Sequence, residues 1–400
     1  MRTLIKGGRI IDPSAGIDEI GDVLVENGLI VATVKVNNFT VDEIIDAGNK
    51  IVCAGLVDMH CHMREPGQTH KEDIATGSKA AFRGGFTSVV AMPNTIPPVD
   101  NPDIIKDILK IPSTVNLYQA GAITRGQEGM IITDIAALKS AGAVAISDDG
   151  VPVENEEVLY QALITAQKQG IPVIYHSECL SVDGADAKAE WGDVERVLSI
   201  ARRADAPIHI THISSETTVE IIRQAKLCGL KVTCDTCPHY FSLTRDAVKE
   251  YGTNAKMNPP LKDIADVNAI IGGLKDGTID AISTDHAPHA VYEKNQDFEK
   301  APNGIVGFET ALGLGITKLV KAKHLTVNQL IQKMTYNPAR LLGINAGTLK
   351  IGAPADILIF DLDKEYEVDV NSFAGKARNT PFNSWKLYGK VEKVICSNLK

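Results

Sequence analysis

His60 and His62 stand two apart in the segment DMHCHMREPG, Asp58 to Gly67. Strand side chains alternate with a period of two, so an H-x-H pair on a strand puts both imidazoles on one face. Two neutral imidazoles side by side are half of a metal site. The same pair could be two hydrogen-bonded histidines at a strand end. The rest of the chain decides between these readings.

A metal site of this kind needs several strand ends brought to one mouth. Between Ile51 and about Leu342, short and often β-branched apolar runs alternate with amphipathic stretches. The runs are Ile51–Asp58, Thr87–Pro93, Thr114–Ile123, Ala143–Asp149, Ile171–His176, Ile208–Ser214, Lys231–Thr236 and Ile279–Asp285. Helical patterns cover Asp73–Arg83, Asp134–Ser140, Glu156–Lys168, Asp193–Arg203, Glu216–Leu227 and Asp263–Leu274, several ending near Gly84, Gly142, Gly170 or Gly229. Eight such units in order predict an α/β fold, a (β/α)₈ TIM barrel. No G-x-G-x-x-G follows the first strand, which argues against a doubly wound sheet.

The ends read differently. Thr3–Ile11, Asp22–Ile30 and Ile30–Val36, then Asp356–Phe360, Tyr366–Val370 and Lys386–Ile395, alternate apolar and polar residues. Asn27-Gly28 is a hairpin signal. Residues 1–50 and 346–400 are therefore expected to form one small β-sandwich, and residues 51–345 the barrel.

On that map His60 and His62 end the first strand, Asp148-Asp149 the fourth, His176 the fifth, His212 the sixth and Asp285 the eighth. Active sites of such barrels sit at the C-terminal strand ends. Four histidines and two carboxylates at one mouth predict a site for one or two zinc or similar divalent ions. Asp148 and Asp149 point oppositely on a strand end, so only one of them is a ligand. His209 and His212 also oppose each other, and His212 is nearer the end. His70, His239 and His324 have no supporting partners and read as structural.

The net charge of -9 with no basic block argues against nucleic acid and anionic membranes as partners. One local arginine is enough to hold a small anionic substrate. No apolar run reaches the roughly 18 residues of a membrane helix, and the start does not resemble a signal peptide. Seven scattered cysteines are not a disulfide framework, so a reduced, cytoplasmic protein is expected. Cys234 and Cys237 have C-x-x-C spacing, but without a second pair they read as ordinary buried thiols.

DMHCHMREPG, AMPNT, ISDDG, HSE, HISS, KMNPPLK, TDHAPH and NPAR fall in the order seen in dihydroorotases of the amidohydrolase superfamily. The resemblance spans essentially the whole chain, through the closing GTLKIGAPADILIFD. SDDG resembles the type I members, which bridge two metals with an aspartate where hydantoinases and allantoinases carry a carboxylated lysine. No lysine occupies Ala143–Asp149. The resemblance implies that His60, His62 and Asp285 hold one metal, His176 and His212 the other, and that Asp149 bridges them. It also implies that Arg64, Asn94 and His289 receive a substrate carboxylate, that Asn258 contacts the ring, and that the Asn303-Gly304 backbone closes on the substrate. Asn303 replaces an apolar residue, and the stretch from His176 to His212 is shorter than in relatives.

The implied activity is reversible cyclisation of N-carbamoyl-L-aspartate to (S)-dihydroorotate in pyrimidine (UMP) synthesis, with zinc, two ions favoured over one. Such an enzyme needs activated water and a proton for the leaving nitrogen, and Asp285 suits the proton shuttle. A dihydropyrimidinase or allantoinase is the enzyme alternative. A non-catalytic dihydroorotase-like partner of aspartate transcarbamoylase is another, although such relatives lose ligands that this chain keeps. A homo-oligomer, with aspartate transcarbamoylase as a possible partner, is also implied.

Overall fold

The computed structural model describes residues 1–34, 40–183 and 186–398. The chain begins with β1 (Arg2–Asp12), β2 (Ile17–Glu26), β3 (Leu29–Val34), β4 (Glu43–Asp46) and β5 (Ile51–Ala54). Asn27 and Gly28 both take positive φ, 51° and 78°, the backbone a two-residue hairpin of type I′ requires. The strand read as Ile30–Val36 is described to Val34, and its last two residues lie outside the described residues.

Eight further strands make the barrel: β6 (Leu56–Cys61), β7 (Phe86–Ala91), β8 (Asn116–Gly121), β9 (Ala143–Ile146), β10 (Ile174–Tyr175), β11 (Ile208–Ile210), β12 (Val232–Thr236) and β13 (Ala281–Ile282). They pair in parallel as β6-β7-β8-β9 and β10-β11-β12-β13. Parallel bridges Ile146–Val173 and Cys61–His286 join the two halves into a ring. Val57, Met59, Val90, Ala120, Ala145, Ile174 and Ala281 fill the interior together with Ala339 and Leu342 of the helix Tyr336–Leu342. Outside, a larger apolar core lies between strands and helices.

The helices start where side chains can satisfy their first amides. Asp73, Asn101, Asp134, Asn155 and Ser215 each accept from an amide two or three residues on. The helix read as Asp193–Arg203 extends over Lys188–Ala204, and Pro102–Leu109 is a further helix that the periodicity reading passed over. No helix among the described residues is long and apolar enough to cross a membrane.

β14 (Ile357–Glu367) and β15 (Lys386–Ile395) return to the N-terminal strands. The result is one seven-stranded sheet in the order β15-β14-β5-β1-β2-β3, with β4 also on β1. It has its own core, including Ile5, Ile10, Val23, Val52, Ile357 and Ile359. Ile5 and Ile10 share that core despite their odd spacing because the register slips between Ile5 and Gly8. The runs read as Asp356–Phe360 and Tyr366–Val370 are mostly one strand, and a slip between Asp361 and Glu365 breaks its alternation.

One correction concerns the run Ile51–Asp58, which is two strands. Ile51–Ala54 belongs to the terminal sheet and Leu56–Cys61 to the barrel. Gly55 makes the step between them, where a Cβ would lie 2.2 Å from the Thr87 side chain.

Candidate metal centre and active site

The barrel mouth gathers side chains from five strand ends. Val57 and Met59, two apart, both face the barrel interior; the β6–β7 register slips between Asp58 and Cys61, and His60 and His62 converge one step later. The carbonyl of His60 accepts from Asp285 N–H at 3.0 Å, and His62 N–H donates to the His286 carbonyl at 2.8 Å. The end of β6 and the segment after β13 thus hold each other. Asp58, buried beneath, accepts from Thr284 N–H at 2.9 Å and from the Thr284 hydroxyl at 2.5 Å. His212 and Asp285 both take left-handed backbone, φ 41° and 46°. Such conformations in non-glycine residues persist only when surrounding bonds over-determine them.

Two triplets of ligand atoms lie close enough to share an ion: His60, His62, Asp285, and His60, Asp149, His212. His62 Nε2 is 3.0 Å and His60 Nε2 3.7 Å from Asp285 Oδ1. Asp149 Oδ1 is 3.2 Å from His60 Nε2 and 3.8 Å from His212 Nε2, and its Oδ2 is 3.6 Å from His62 Nε2. His176 stands at the edge of this group, with Nδ1 2.9 Å from His212 Nε2 and 4.0 Å from Asp149 Oδ1.

Electrostatics favours a cation here. Burial alone would raise the carboxyls of Asp149 and Asp285, but the imidazoles around them hold both below the usual carboxylate range. Burial likewise opposes charge on His60, but Asp149 and Asp285 overcome it and push its imidazole up to about 10. His60 Nε2 and Asp149 Oδ1 are buried and make no hydrogen bond. Converging lone pairs, two ionised carboxylates and orphaned buried atoms fit a divalent ion of zinc type.

The neighbours weighed in the sequence are separated by their bonds. Asp148 turns away, accepting from Ile123 N–H at 2.8 Å, Thr124 N–H at 3.1 Å and the Thr124 hydroxyl at 2.5 Å. His209 lies outside the mouth, with Nδ1 2.8 Å from the Thr233 hydroxyl and Nε2 2.8 Å from Asp235. Exposed His70 lies near Glu293. His239 is buried edge-on to Tyr240, and burial lowers it to about 4. Cys234 and Cys237 are free, buried thiols whose pKa burial pushes up.

Above the ligands lies a cavity of about 220 Å³. Its wall includes His62, Arg64, Asn94, Asp149, His176, His212, Asn258, Asp285, His289, Asn303 and Gly304, so every expected mouth residue except the deeper His60 reaches it. Asn94 uses its amide on the ligands, taking His62 Nδ1–H at 2.9 Å and donating to Asp149 Oδ2 at 3.0 Å. Arg64 Nε donates to the Pro288 carbonyl at 3.1 Å. Burial lowers this guanidinium to about 10, so it remains a cation at neutral pH. Burial first, then Arg64 and Lys71, pushes His289 down to about 2, so its ring is neutral. Its Nε2 donates to the Asn303 carbonyl at 2.8 Å.

Three residues outside the sequence-derived set support this wall. Glu178 lies 3.1 Å from His176 Nε2 and accepts from Asn258 Nδ2 at 3.0 Å, joining a metal-side histidine to a cavity residue. Lys294 donates to the Pro302 carbonyl at 2.8 Å and the Gly304 carbonyl at 3.0 Å. Asp235 sits below the ligands on β12. A charged residue inside an apolar strand run was the available signal for Asp235. Glu178 lies in a loop and Lys294 in a single helical turn, and neither segment carries such a pattern.

The Amidohydrolase family profile matches residues 51–398. A dihydroorotase from Acetivibrio thermocellus is 49% identical over 97% of this chain and 96% of its own. One from Geobacter metallireducens is 48% identical over 99% and 98%. Among solved structures, the L-hydantoinase (dihydropyrimidinase) from Arthrobacter aurescens superposes with a TM-score of 0.92 at 25% identity, covering 99% of this chain and 94% of that one. The dihydropyrimidinase from Brevibacillus agri gives a TM-score of 0.90 at 23% identity, covering 100% and 94%, which is a likeness of fold.

Proposed function

The chain belongs to the amidohydrolase family, among the dihydroorotases, and from that premise we propose how its mouth performs their reaction. The reaction is reversible closure of N-carbamoyl-L-aspartate to (S)-dihydroorotate with release of water. We assign His60, His62 and Asp285 to one zinc ion, His176 and His212 to a second, and Asp149 to both. The carrying observation is the convergence of the four histidines on Asp149 and Asp285, with His60 Nε2 and Asp149 Oδ1 left without hydrogen bonds. Bound zinc would supply Lewis acidity, activating water and polarising the scissile carbonyl.

The chain's own residues supply the rest. Arg64 offers a planar fork to a carboxylate, and a buried guanidinium is less screened than one in water. His289, neutral, offers a polar ring edge beside it. Asn258 and the Asn303-Gly304 backbone bound the side of the cavity where the ring would lie. Asp285, kept ionised, takes a proton from water in the hydrolytic direction and returns it to the leaving amide nitrogen. The reverse path runs through the same atom. The expected homo-oligomer, and any association with aspartate transcarbamoylase, belong to the same proposal; sedimentation with and without that enzyme reads both.

The substrate assignment is tested by comparing dihydroorotate with dihydrouracil, which lacks the carboxylate. The metal-loaded protein should hydrolyse dihydroorotate far better, and equal efficiency on both overturns the reading. Arg64→Lys should lower kcat/KM for dihydroorotate by about 10–100-fold, the worth of a lost charge-assisted hydrogen bond.

A further inference from the structure

β12 carries no candidate ligand, yet its Asp235 side chain is completely buried directly below the centre. Its carboxylate is saturated. Oδ2 accepts from Thr211 Oγ1 at 3.0 Å and His209 Nε2 at 2.8 Å. Oδ1 accepts from His212 N–H at 2.8 Å and Ser283 Oγ at 2.5 Å. Burying an ionised carboxylate is costly unless every lone pair is met, and here four donors meet it.

The partners are not arbitrary. Thr211 has one hydroxyl hydrogen, and it goes to Asp235. Its oxygen must therefore accept from His60 Nδ1, 2.8 Å away. That fixes a hydrogen on Nδ1 and directs the Nε2 lone pair into the centre. The amide of His212, a left-handed residue, is held by the same carboxylate. Ser283, two residues before Asp285, is the third link. One side chain thus reaches a residue of each proposed zinc set.

Resting on the zinc reading above, we infer that Asp235 is a positioning residue for the metal centre, acting on His60 through Thr211 and on His212 through its backbone. An asparagine there has to donate where the carboxylate accepts. Where that donor meets Thr211, the hydroxyl turns its hydrogen elsewhere, and nothing then holds the His60 proton on Nδ1.

Zn²⁺ affinity by competition with a chromophoric chelator reads this without any turnover. Asp235→Asn should bind Zn²⁺ about 10–100-fold more weakly than the parent, the usual loss for an outer-shell partner. Thr211→Val, which keeps shape and removes the relay, should lose affinity in the same direction. Thr211→Ser, which restores the hydroxyl, should return to within about threefold of the parent, a rescue that no purely structural role explains. Parental affinity in Thr211→Val, or equal losses in the valine and serine variants, overturns the inference. The threonine pair decides the matter even where Asp235→Asn does not fold. A parent that binds no Zn²⁺ instead overturns the zinc reading, and this inference with it.

Discussion

Asp285 combines a left-handed backbone, a hydrogen-bonded peptide on each side and two histidine nitrogens on one carboxylate oxygen. Such constraint suits a group whose position matters more than its contribution to stability. Asp285→Asn keeps the shape and removes the base. It should lower kcat at least about 10²-fold, equally in ring opening and ring closure, with metal content measured alongside. Near-parental turnover with metal bound would exclude it as the shuttle. A second residue gives a pH signature away from the site. Burial, reinforced by Glu72, raises Glu309 to about 7 against the pull of Arg83 and Arg378. The folded state then holds that proton more tightly than the unfolded chain. Its stabilising effect is full below the unfolded value of 4.5 and fades as pH rises through about 7. Glu309→Gln should therefore melt progressively higher than the parent between pH 5 and about 8, and a pH-independent difference would contradict this. At this scale the histidines were legible because their spacing survives even a bulged strand. Asp148 and Asp149 were separable only through the family resemblance, since the choice rests on amides of Ile123 and Thr124 beyond the end of β8. Asp235 showed only as a charge inside an apolar run; its donors, three from residues 209–212 and one from Ser283, lie on other strand ends.

The elements were legible where apolar runs are long, as in β7 and β8. They were least legible at β10 and β13, each only two residues in ladder form. The run from Ile51 misled because both of its halves are fully buried, and only Gly55 marks the step. Gly55→Ala would drive a methyl into Thr87, and we expect a loss of about 1–3 kcal/mol by denaturant unfolding, typical of overpacking. The segment after His289 had no legible conformation. It forms a short helix, Val291–Lys294, whose buried last residue holds the carbonyls of Pro302 and Gly304. Lys294→Met strips those carbonyls of their donor at a cost of about 1–3 kcal/mol. Faster amide exchange across residues 298–304 should accompany it, and unchanged exchange would mean that the loop is held by other contacts.

Over the whole molecule, barrel and terminal sheet have separate cores, and the sheet uses both ends of the chain. Sequence showed that both ends are strands. It did not show that β5 and β14 pair, because register between distant strands leaves no local trace. That pairing has a consequence for the order of events during synthesis. Ile51–Ala54 emerges early, with β1 on one side and nothing on the other until Ile357–Phe360 appears. At about 5–20 residues per second, the ribosome leaves that apolar edge open for on the order of 15–60 s, longer than most domains need to fold. The nascent chain can close the barrel during this interval but not the sheet, so neighbouring chains on one message compete for the same edge. Refolding from denaturant, where both ends are present from the start, should lose less material to aggregation than synthesis in a chaperone-free translation mixture, with pelleted protein as the measure.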